Sequence, residues 1–79
     1  MKIRLKLSGE LEDGMRPELA ASYSVAEGSN VHDVLEKLPF KDRVALTSVN
    51  GKMVPPAQRP NVVISDGDEL MLLPAIKGG

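Results

Sequence analysis

The chain has no cysteine and no tryptophan, two aromatic residues (Tyr23 and Phe40), and one histidine, His32. Without cysteine there is no disulfide to staple a small domain and no thiolate to attack a substrate or hold a metal. A lone histidine excludes a histidine-based metal cluster or a catalytic triad. Two aromatics are too few for a base-stacking platform. Ten basic residues against eleven acidic ones leave a net charge of −1, which is not the footprint of a nucleic-acid binder. No apolar run approaches the roughly 20 residues of a membrane-spanning helix. Met1 to Leu7 alternates charged and apolar residues, where a signal peptide would carry a continuous apolar stretch. These absences predict a cytoplasmic chain with neither a nucleic-acid nor a membrane partner.

What is present is an ordinary globular composition, 42% hydrophobic over 79 residues, enough for one domain. An unstapled core of this size supports on the order of 3–5 kcal/mol of stability. Residues 2–7 alternate in period two, with Ile3, Leu5 and Leu7 on one face and Lys2, Arg4 and Lys6 on the other, which predicts a strand with a wet charged face. Ser8 to Glu18 holds two glycines, a proline and four acids, and reads as a long loop. Alternation resumes over 19–26 and predicts a second strand, ended by Gly28.

A helix follows. Ser29 or Asn30 can cap it, Asp33 sits in the capping-box position, and Val31, Val34, Leu35 and Leu38 form one apolar stripe that Pro39 ends. Residues 44–49 and 52–54 flank Asn50-Gly51, the strongest short hairpin signal. Pro55, Pro56 and Pro60 exclude regular pairing in the connector. Residues 61–64 form a short extended piece, Asp66-Gly67-Asp68 turns the chain, and 69–73 is the last strand, after which Pro74 ends pairing. The predicted class is α+β: a β-grasp, with a mixed sheet of four to five strands on one main helix and strands one and last adjacent and parallel. The domain spans 1–74, with a flexible tail over 75–79.

Two motifs fail on inspection. Gly9-x-x-x-x-Gly14 has P-loop spacing but is followed by Met15-Arg16, not Lys-Ser/Thr. Asp66, Asp68 and Glu69 lack the rest of a calcium-loop ligand pattern. No metal site and no bound cofactor is expected. A surface is more promising. If Leu70 and Leu72 face the core, period two turns Met71 and Leu73 outward, where Leu46 and Met53 can join them and Arg4 and Lys6 can rim the patch.

Three segments taken in order carry a resemblance: Val49-Asn50-Gly51-Lys52-Met53-Val54, Asp66-Gly67-Asp68-Glu69-Leu70, and Leu73-Pro74-Ala75-Ile76-Lys77-Gly78-Gly79. Their order, spacing and Gly-Gly ending resemble the MoaD/ThiS family of ubiquitin-like sulfur carriers. The resemblance implies a carrier and not an enzyme. An E1-like adenylating enzyme uses ATP to activate the carboxylate of Gly79, beside Gly78, and a sulfur donor converts the acyl-adenylate to a thiocarboxylate. The sulfur then passes to a partner, either a large synthase subunit in molybdopterin synthesis or a thiazole synthase. Ile76 and Lys77 join Met71, Leu73, Leu46 and Met53 as partner contacts. The Leu-Pro-x-Ile-x-Gly-Gly ending favours the molybdopterin pathway, while Val54-Pro55-Pro56 is closer to the thiazole-type carriers. A protein modifier joined to lysines through Gly79, and a binding module with an inert tail, are the other readings in view.

Overall fold

The computed structural model describes residues 1–75. They form a five-stranded sheet with strand order β2-β1-β5-β3-β4, made of β1 (Lys2–Leu7), β2 (Tyr23–Ser24), β3 (Val44–Val49), β4 (Lys52–Val54) and β5 (Glu69–Pro74). β1 and β5 run parallel at the centre, and every other pairing is antiparallel. Two helices, α1 (Pro17–Ala21) and α2 (Val31–Glu36), complete the β-grasp arrangement that the sequence predicts. Among the described residues no helix is long and apolar enough to cross a membrane.

α2 starts where its cap chemistry requires. Asp33 N–H donates to Asn30 Oδ1 at 2.7 Å and Asn30 N–H to Asp33 Oδ2 at 3.2 Å, a complete capping box. Val31, Val34, Leu35 and Leu38 are buried against Ile3, Leu5, Leu70 and Leu72 from the sheet, and this layer is the core. The Asn50-Gly51 hairpin has both residues at positive φ, 50° and 87°, as a tight turn joining twisted strands demands.

The first third of the chain departs from the expected strand. Instead of a strand over 19–26, Pro17–Ala21 is a helix and only Tyr23 and Ser24 pair with β1. Pro17 supplies a ready first helical turn, and Ala20 and Ala21 are strong helix formers. Burial follows the helix, with Ala20 inside and Leu19 at 54% exposure, so the alternation over these residues was not the period that won.

Nor is Ser8 to Glu18 a loose loop. Gly9–Gly14 is a 3-10 helix that buries Leu11 in the core. Gly14 lies so close to Phe40 that an added Cβ would stand 2.6 Å from its ring. Phe40 is 5% exposed and belongs to the buried core, so a shift of its ring must displace core neighbours. Gly14→Ala should therefore cost about 1–3 kcal/mol, as overpacking does. A urea titration read by circular dichroism checks this, and an unchanged midpoint would refute it.

Pro74 does not end the pairing. It is the last residue of β5, opposite Val44, and Ala75 N–H still donates to Arg43 O at 3.3 Å. The register explains the tolerance. Asp68 O and Leu72 O accept from Arg4 N–H and Ser8 N–H, so even-numbered residues of β5 address β1, while Glu69 O and Ala75 N–H address the β3 side. The nitrogen of Pro74 faces Ser8 O at the end of β1, and that carbonyl accepts instead from Leu11 N–H at 3.2 Å, so the missing proline hydrogen leaves no acceptor unpaired.

Candidate functional site

Directly opposed residues of a sheet share a face, so the register alone assembles the surface. Leu46 lies opposite Leu73, and Ser48 opposite both Met71 and Met53. Leu46, Met53, Met71 and Leu73 therefore stand together on the face away from α2. Leu46 and Met53 are 45% and 57% exposed, and Met71 and Leu73 are half-buried. The connector does not cover them. Its 3-10 segment, Pro56–Asn61, packs against α2, on the other side of the sheet.

Leu46 continues the register of Thr47, Ser48 and Val49 against Leu72, Met71 and Leu70, and the irregularity of the pairing lies beyond it. Between Leu46 and Val44, β3 moves two residues while β5 moves one, from Leu73 to Pro74, so Ala45 is the extra residue. Arg59 holds the irregularity, donating from Nη2 to Ala45 O at 3.1 Å and from Nε to Thr47 Oγ1 at 3.4 Å. Thr47 Oγ1 in turn donates to Val54 O at 3.0 Å. Arg59 carries no distinct signal in the sequence, because nothing local marks a cation that will bond a strand twelve residues upstream.

β5 is pinned at its start by the Asp66-Gly67-Asp68 turn. Lys2 N–H donates to Asp66 Oδ1 at 2.8 Å, and Ser65 N–H to Asp68 Oδ2 at 2.7 Å. Asn50 Nδ2 donates to Asp68 Oδ1 and accepts at Oδ1 from Glu69 N–H, both at 2.9 Å. These carboxylates cap backbone groups and tie the hairpin to β5. They set the register on which the outer face depends, and among the described residues no group of three His, Asp or Glu side chains is placed to hold a metal.

Arg4 and Lys6 flank the patch as their strand position requires. Lys6 pairs with Met71 and Arg4 with Glu69, and the Arg4–Glu69 ion pair spans 3.5 Å. The sequence reading missed Ser48, which lies at the centre of the patch and is 5% exposed beneath its methionine neighbours. Period two counted from Leu46 would have found it. The shifted titrations lie elsewhere. A hydrogen bond from Lys41 holds the Glu36 carboxyl below its usual range, and Glu36 in turn raises Lys41; Glu36 belongs to α2, on the opposite side of the sheet. His32 is exposed on α2 beside Glu36 at 3.8 Å. Gly78, Gly79, Ile76 and Lys77 lie outside the described residues.

The face, the Asn-Gly hairpin, the acidic turn and the strand leading to the tail now stand in one frame. The family model described as the ThiS family matches residues 8–79. The chain is 35% identical over 54 residues to the sulfur carrier protein ThiS of Escherichia coli (strain K12), a stretch covering 68% of this chain and 82% of that relative. A match over this much of both sequences, on a β-grasp scaffold, is decisive: the chain belongs to the ThiS family.

Proposed function

We propose that the protein is a sulfur carrier whose Gly79 carboxylate is the reacting group. A carboxylate is a poor electrophile. In the proposed sequence its oxygen attacks the α-phosphorus of ATP in the site of an E1-like adenylating enzyme, and pyrophosphate leaves. A sulfur donor then displaces AMP from the acyl-adenylate and leaves a thiocarboxylate on Gly79. This chain contributes the carboxylate, a thin tail and a docking face. Gly78 and Gly79 have no Cβ and adopt any backbone angle, which suits passage through a narrow channel.

The observation that carries the reading is the convergence of Leu46, Met53, Met71 and Leu73 on one face of the sheet, two of them on the strand that runs into the Gly-Gly ending. A tail that is itself a substrate needs a recognition surface beside it, and contiguous apolar residues on an exposed sheet face supply one. Ile76 and Lys77 would be held between that surface and the reacting end.

Two acceptors remain in view. Membership of the ThiS family, the ThiS relative and Val54-Pro55-Pro56 support delivery to a thiazole synthase. The Leu73-Pro74-x-Ile76-x-Gly78-Gly79 ending supports delivery to a large synthase subunit in molybdopterin synthesis. The carrier role is tested by intact mass after incubation with an E1-like enzyme, ATP and a sulfur donor. The expected result is a gain equal to sulfur replacing one oxygen, located on Gly79. An unchanged mass, with an enzyme active on its own carrier, would overturn the reading. Supplying the thiocarboxylate form to each synthase separates the two acceptors.

A further inference from the structure

The charged half of β1 is not explained by folding. Lys2, Arg4 and Lys6 are exposed and recur at every second residue, so they form a row of cations spaced about 6.6 Å apart on the outer face. Among the described residues neither lysine has a carboxylate within 4.0 Å, and Arg4 has only Glu69, in a partly exposed pair of the kind that contributes little to stability. Glu12 lines the same edge groove as Lys6 without closing an ion pair with it. The row lies beside the apolar patch, since Lys6 is in register with Met71.

We infer that Lys2, Arg4 and Lys6 form an electrostatic docking stripe for a protein partner whose contact surface carries a row of carboxylates beside an apolar strip. The inference rests on the carrier reading and names the chemistry of the first partner, the activating enzyme. The cationic row, with no carboxylate on either lysine among the described residues, and its continuity with the patch support that occupant. An apolar strip alone gives no orientation along the sheet, whereas a row of charges on one side of it does. Exposed charges act chiefly on encounter and orientation, so they change affinity and association rate more than the chemical step.

The test uses the full chain and an E1-like enzyme that adenylates it, with pyrophosphate release measured at low and high sodium chloride. The triple variant K2E/R4E/K6E should raise KM by about tenfold or more at low salt, with kcat within about twofold of wild type. The gap should narrow at high salt, because screening shortens the reach of exposed charges. The conservative variant K2R/K6R should keep the wild-type KM, and a wild-type thermal melt of the triple variant shows that the fold is intact. A KM change below about twofold, or a larger one that salt does not move, would overturn the inference. So would binding of the wild-type chain to anionic lipid vesicles that the triple variant loses while its KM is unchanged, since the stripe would then address a membrane surface. No turnover of wild type by any such enzyme overturns the carrier reading itself, and this inference with it.

Discussion

Deleting Gly78 and Gly79 should abolish sulfur loading and leave the fold unchanged. The described domain places its stability elsewhere: in the β1–β5–β3 ladder, the α2 stripe and the buried Leu11 and Phe40. All of these contacts are made by residues 1–75, so the melting temperature should shift by no more than a surface change does, about 0.5 kcal/mol or less in free energy. Loading should fall below detection, because the deletion removes the carboxylate that is to be adenylated and leaves the Lys77 carboxylate two residues short of the reaction centre. A near-attack geometry tolerates errors of about 1 Å, and two residues span about 6–7 Å. The readout is intact mass for the sulfur and circular dichroism for the fold. Retained loading would show that Gly79 is not the reacting end, and a lost fold would show that the tail is structural.

Leu72→Ala should do the reverse and take the fold with it. Leu72 is fully buried, opposite Leu7 on β1 and Thr47 on β3, at the point where the sheet meets the α2 layer. Its truncation removes the transfer free energy of the lost atoms and leaves a cavity in a close-packed layer, at a cost of about 2–5 kcal/mol. The whole domain holds only about 3–5 kcal/mol, so the variant should be largely unfolded or very close to it at 25 °C. Leu73→Ala, one residue on, is the control. That side chain is half-buried on the outer face, so stability should drop by about 1 kcal/mol or less while KM for adenylation rises. Urea titration of both variants reads the contrast. Equal losses would mean that the two faces of β5 are energetically alike and would undo the division into core and docking surface.

Local pattern made several elements legible in advance. The capping box of Asn30 and Asp33, the Val31, Val34, Leu35, Leu38 stripe, the Asn50-Gly51 hairpin and the alternation of β1 are short-range chemistry, and each was built as read. The segment 8–26 was misread for the same reason. Its pattern suited a loop and a strand locally, but Pro17 could open a helix, and Leu11 and Ala20 gained more from the core than an extended chain would have gained from pairing. Pro74 was read by a rule that a proline stops a ladder, and that rule depends on which neighbour its nitrogen faces. Only the parallel register with β1 decides that.

The sequence by itself determined the class of fold, the faces of β1 and β5 and the residues able to form an apolar patch. These follow from periodicity and turn residues. Tertiary structure decided that the patch is a single surface. Leu46, Met53, Met71 and Leu73 come from three strands, and only the long-range pairing of β3 with β4 and β5 brings them together. Spacing along a chain encodes which face a residue takes. It does not encode which strand will lie alongside, because that depends on burial summed over the whole sheet.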